Sequence, residues 1–142
     1  MNTQHTNLAR LLAETLSQEP DVLFARLFGS RADSGAHPGS DVDLAVLLSR
    51  KTTVSRRDPA LLHLEEVLYE GFPGLIFHVV DLVTAPPLLQ VEIMIHGKTL
   101  VPGRTGLEEE LRLKALKLFF DAAPLYRARR AKLASLTARE TG

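Results

Sequence analysis

Leu27-Phe28-Gly29-Ser30, ten residues from Arg31 to Ser40, then Asp41-Val42-Asp43-Leu44 read as two strand ends joined by a loop. Val22 to Phe28 is rich in strand formers and stops at Gly29, and Asp41 to Leu48 is a second short apolar run that carries two carboxylates. Side chains alternate along a strand, so Asp41 and Asp43 share one face while Val42 and Leu44 take the other. Like charges held together destabilise each other unless one is protonated or a cation neutralises both. A divalent ion is the economical explanation, and hard oxygen ligands favour magnesium, which keeps several waters and takes one or two protein carboxylates plus substrate phosphates. Gly29 lets the backbone approach a phosphate, amides at a following helical turn point outward, and Ser30 adds a hydroxyl donor. One part grips a triphosphate and another spans attacking and leaving oxygens, as nucleotidyl transfer requires.

Outward from this stretch, Leu8, Leu11, Leu12 and Leu16 recur at helical spacing, with Thr6 or Asn7 as cap and Pro20 beyond the end. Gly35, Pro38 and Gly39 allow Ser30 to Ser40 a short helical turn and a loop, and Ser49 to Arg57 reads as a mobile connection. Asp58 is the expected cap of a helix that begins at Pro59, packs through Leu61, Leu62, Leu64, Val67 and Leu68, and ends at Gly71. Leu75 to Val83 is a third strand, Pro86 and Pro87 open a short helix closed by Gly97, and Thr99 to Val101 adds an edge strand. The last third is helical, with pairs Glu108 to Arg112 and Glu110 to Lys114, and Pro124 is expected to kink it or restart it with Asp121 as cap.

A third carboxylate is expected from a neighbouring strand, and Asp81 lies in the apolar run Phe77-His78-Val79-Val80-Asp81-Leu82. Alternation sets Asp81 and His78 on opposite faces; with Asp81 turned to the metals, His78 becomes a packed core histidine.

The chain has 142 residues, 45% hydrophobic and 24% charged, the profile of one small globular unit. We expect a single domain over 1–142, with a core from about 6 to 103 and a helical segment from about 106 to 138. Seventeen basic residues balance seventeen acidic ones, which disfavours general nucleic-acid binding through counterion release. Cysteine is absent, compatible with a reducing cytoplasm, and neither a signal-peptide pattern nor a membrane span is legible.

Phe28-Gly29-Ser30, the spacer, Asp41-Val42-Asp43-Leu44 and the later Asp81 resemble the DNA polymerase beta nucleotidyltransferase superfamily and, more narrowly, the minimal nucleotidyltransferase (MNT) domains of bacteria and archaea. The resemblance runs from roughly Val22 through Val101. It implies an α/β (α+β) fold, a small mixed sheet flanked by helices with a helical C-terminal tail. It also implies Asp41 and Asp43 as ligands of two magnesium ions, and Asp81 as a ligand of the catalytic one that helps deprotonate the attacking hydroxyl. Gly29, Ser30 and, as a candidate, Arg31 would bind the triphosphate of ATP. Many MNT proteins are antitoxins encoded beside a helical HEPN ribonuclease, which they silence by transferring AMP onto a tyrosine. The spacer departs from the family's usual form at Ser34, where a glycine is common, with Gly35 one place later. This bears on the orientation of the triphosphate, since the distance from Gly29 to Asp41 is kept.

Each signal alone is ordinary: a glycine-serine pair makes turns, and alternate aspartates occur on solvated strands. His37 reads as loop, His96 as a helix-end residue, and His5 and His63 carry no pattern. Arg127, Arg129, Arg130 and Lys132 read first as a solvated helix face, and Leu111, Leu113, Leu116, Leu118, Phe119 and Phe120 nearly encircle their helix, with core burial favoured over an interface. Two rivals stand beside the adenylyltransferase reading. One transfers a nucleotide to a small-molecule hydroxyl such as an aminoglycoside's, and the other silences its partner by occlusion alone.

Overall fold

A computed structural model describes residues 3–29, 41–49 and 59–141. Four strands form one mixed sheet in the order β3-β2-β1-β4. β1 (Val22–Phe28) and β2 (Val42–Leu48) are antiparallel, with Leu27 opposite Leu44 and Phe28 opposite Asp43. β3 (Phe77–Asp81) runs parallel to β2, and β4 (Lys98–Val101) closes the other edge antiparallel to β1. Only Leu23 of β1 is exposed, because this central strand is covered on both sides and reads as a nearly continuous apolar run.

The parity of β2 divides the core in two. Leu44 and Val46 meet Ala25, Leu27 and the helices α1 (Thr3–Ser17) and α2 (Pro59–Gly71), which contribute Leu12, Leu16, Leu64 and Leu68. Ala45 joins Phe24 and Phe28 beneath α3 (Pro87–His96) and α4 (Leu107–Thr141), which contribute Ile93, Met94, Leu107 and Ala115. Burying each large aliphatic side chain contributes about 1.5–3 kcal/mol.

Arg26 ties the second layer together. Its guanidinium donates to the Gly97 carbonyl at 2.5 Å and to Glu108 Oε1 at 3.0 Å, and the Thr99 hydroxyl donates to the same carboxylate. One strand, the turn before β4 and the first turn of α4 thus meet at one buried cation. Burial depresses the Arg26 pKa, Glu108 opposes that, and Arg112 adds to it.

Several local expectations change. α1 begins at Thr3, so Thr6 and Asn7 lie inside it rather than capping it. β3 is shorter than Leu75 to Val83, because a turn begins at Asp81: the Ala85 amide donates to the Asp81 carbonyl at 3.1 Å. Glu110 pairs with Arg104 at 2.5 Å rather than with Lys114. α4 runs through Pro124 without a restart, so Asp121 is no cap. The proline forfeits one backbone hydrogen bond, a cost of about 3 kcal/mol or more in a helix interior, but Ala122, Ala123, Leu125 and the Arg-Ala run beyond it are strong helix formers. Leu113 and Phe120 stand in solvent instead of the core, 68% and 67% exposed. The expected Asp58 cap and the turn and loop from Ser30 to Ser40 lie outside the described residues.

Candidate functional site

Asp43 is partly buried in β2, flanked in register by Phe28 of β1 and His78 of β3. Asp41 lies one residue before β2, where the Val42 amide donates to the Ile76 carbonyl at 2.8 Å and fixes the entry of the strand. Alternation puts both carboxylates on the α3/α4 side of the sheet, while Val42 and Leu44 enter the α1/α2 core.

Gly29 closes the site from β1. Its φ is +72°, a conformation that side chains with a Cβ rarely adopt, and a Cβ there would collide with Asp43 Oδ2. The glycine is therefore required twice, by its own backbone and by the carboxylate beside it. Ser30 and Arg31, the other residues expected at the triphosphate, lie outside the described residues.

The third side chain at the pair is His78. Its Nε2 lies 2.9 Å from Asp41 Oδ2, and the ring is largely exposed. The hydrogen bond to Asp41 raises the His78 pKa, partly opposed by desolvation, with the charges of Asp41 and Asp43 adding to the rise. For Asp43, burial raises the pKa, His78 counteracts it, and Asp41 reinforces it. The two carboxylates thus repel as expected, and a neighbouring imidazole relieves part of the repulsion.

Asp81 is not brought to this cluster. In the parallel register it sits beside Val46, three residues beyond His78 and on the opposite face of the sheet from Asp43. Its Oδ1 accepts from the Val83 amide at 3.0 Å, closing the turn that ends β3. The alternation between positions 78 and 81 holds, but its sense is the reverse of that expected: His78 is at the site and is no core histidine. Only the β2–β3 register reveals this, and no local sequence signal carries it.

Among the described residues, no three histidine, aspartate or glutamate side chains come together as a metal cage. The Asp41 and Asp43 pair nonetheless fits magnesium, which needs only one or two protein carboxylates when phosphates complete its shell. Burial of Asp43 beside a second carboxylate also leaves an electrostatic cost that a cation removes.

Residues 11–103 match the family model described as Polymerase beta, Nucleotidyltransferase. Among solved structures, the chain is similar to a toxin-antitoxin complex with AMP-PNP at 24% identity and a TM-score of 0.68, covering 91% of this chain and 98% of that one. It is also similar to the MntA-HepT toxin-antitoxin pair, at 22% identity and a TM-score of 0.63 over 92% and 98% of the two chains. A third is a Shewanella oneidensis complex of tri-AMPylated HEPN toxin with MNT antitoxin, at 22% identity and a TM-score of 0.65 over 94% and 98%. These likenesses establish the fold. No sequence among curated proteins matches significantly. With about two thirds of its length matched by the family model, the chain belongs to the polymerase beta nucleotidyltransferase family.

Proposed function

We propose, with membership of that family as the premise, that this protein is a magnesium-dependent adenylyltransferase and antitoxin that moves AMP from ATP to a tyrosine of a HEPN-type toxin. The observation that carries the reading is the Asp41 and Asp43 pair, set on one face of β2 with Gly29 packed against Asp43. The toxin-antitoxin likenesses, one with an ATP analogue and one with an AMPylated toxin, support the partner and the nucleotide. An ATP-dependent activity of this kind fits the cytoplasm, where ATP is supplied.

Asp41 and Asp43 would hold the magnesium, which when bound neutralises phosphate charge and stabilises the charge that develops during transfer. His78 fixes the Asp41 carboxylate through Oδ2, the kind of outer contact that orients a ligand and tunes its basicity. Gly29 opens the space beside Asp43, and Ser30 and Arg31 bind and orient the triphosphate. In the reaction the tyrosine oxygen bonds to the α-phosphorus, the bond to the β-phosphate bridging oxygen breaks, pyrophosphate leaves with that electron pair, and the phenolic proton passes to solvent. A phenol suits such transfer because its pKa near 10 makes the oxyanion accessible at moderate cost.

Co-expression of the chain with the helical protein encoded beside its gene, followed by intact-mass measurement of that protein, tests the reading. The expected outcome is a mass gain of one or more AMP units that disappears with Asp41→Asn. An unmodified partner, inhibited equally by wild type and Asp41→Asn, overturns it in favour of occlusion.

A further inference from the structure

The distal half of α4 leaves the body of the protein. Ala115 is its last buried residue among those described, and every described side chain from Arg127 to Ala138 is exposed. Yet this stretch is not polar all round. Phe119, Tyr126 and Leu133 recur every seven residues and form one stripe, the Phe119 and Tyr126 rings lying 6.2 Å apart between centroids. With Leu88 of α3 the stripe lines an open groove of about 560 Å³, bordered by Arg127, Arg129 and Arg130. Leu88 is 57% exposed and Leu133 63%, so the groove is apolar at its floor and cationic at its rims.

The charge is segregated as well. The 21 residues after Asp121 hold five of the 17 basic residues and one of the 17 acidic ones, leaving twelve basic against sixteen acidic for the rest. A neutral chain therefore carries a cationic arm on an anionic body. An apolar stripe flanked by charges of one sign suits a single helix laid along it, and it selects a partner whose facing positions carry the opposite sign. A second copy pairing through the same face would bring three cations against three. An RNA would meet an acidic body behind the groove, which repels its phosphates.

We propose that the groove formed by the distal half of α4 and Leu88 is the docking face for a helix of a partner protein, with an apolar face edged by aspartates and glutamates. This deepens the antitoxin reading and rests on it, since it names the surface by which the toxin is held. Tyr126 and Leu133 are the apolar anchors. Arg127, Arg129 and Arg130 face the partner's carboxylates and set partner choice and on-rate.

The test titrates the full-length chain against the HEPN-type protein encoded beside its gene, and separately against a single-stranded RNA, with native mass spectrometry of the chain alone. Leu133→Asp and Tyr126→Ala are expected to weaken toxin binding about tenfold or more each, as buried anchors do. The triple reversal Arg127→Glu, Arg129→Glu, Arg130→Glu is expected to do the same and to lower the salt dependence. Leu133→Asp and the triple reversal keep the wild-type melting temperature, because those residues are exposed, whereas Tyr126 is half-buried against Phe119 and its variant is read alongside its own thermal melt. Toxin binding unchanged in every variant overturns the surface while leaving the antitoxin reading intact. No binding of the wild type overturns both. Tight RNA binding lost in the triple variant overturns the proposal in favour of a nucleic acid, and a dimer of the chain lost with Leu133→Asp overturns it in favour of a second copy.

Discussion

The start of β2 and the distal half of α4 both crowd like charges, but only the first is woven into the core. Along β2, Asp41 and Asp43 alternate with Val42 and Leu44, two residues with no solvent exposure. Moving one position along that strand exchanges chemistry for packing. Along distal α4, Leu133 and the arginines are exposed, so changes to them do not reach the fold. The strand places its charges with a fixed geometry suited to a small ion, whereas the helix spreads its charges over a surface suited to a large partner.

This contrast can be broken by substitution. The largest effect is expected from Asp41→Asn, which should lower AMP transfer about a thousandfold or more, several kcal/mol of transition-state stabilisation, and leave the melting temperature nearly unchanged. Single-turnover assays with thermal melts check both halves, and an equal loss of stability would dissolve the separation by parity. One position beyond Asp43, Leu44→Ala should cost about 2–5 kcal/mol of stability by opening a cavity in the α1/α2 layer, as measured by denaturant unfolding.

Glu108→Ala comes next. It strips Arg26 of its carboxylate partner and should cost about 1.5–3 kcal/mol, toward the lower end because Glu108 is partly solvated. Denaturant unfolding checks it, and a loss below that range would mean that α4 is held by its apolar base alone. The smallest effect has the opposite sign. The raised Asp43 pKa means that its stabilising protonated form persists below the unfolded carboxylate value of about 4 and is lost as pH rises through the folded value, so at neutral pH the charge is a cost. Asp43→Asn should therefore raise the metal-free melting temperature by about 1–3 °C, the shift that a gain below about 1 kcal/mol produces in a chain of this size. A lower melting temperature would show that the carboxylate is satisfied without a cation.

What was legible in the sequence was what a single element dictates. β1 spans Val22–Phe28 as its composition predicts, and α3 lies between Pro86 and Gly97 as its punctuation predicts. The facing of Asp41 and Asp43 needs nothing beyond alternation. The choice between His78 and Asp81 needs the register of two parallel strands joined through α2, and the packing of that crossover sets it rather than any neighbour in sequence. Arg26 was silent for the same reason, its carboxylate partner lying 82 residues away. The continuity of α4 through Pro124 goes against the expected restart at Asp121, because one strong breaker is outweighed by the helix formers on either side.

The pairing of β4 with β1 bears on how the chain is made. β1 lies in the interior of the sheet, yet Ala25 and Arg26 find partners on that side only at Val101 and Thr99. While the ribosome is still producing the segment before β4, β1 offers a bare row of amides and carbonyls to any other nascent strand, the exposure that makes edge strands prone to wrong pairing. Closing the edge late also sets a long loop-closure step near the end of folding, and Arg26 waits for Gly97 and Glu108 until the same moment. The nucleotide end of the sheet can assemble first, and the helix proposed to hold the toxin is anchored last.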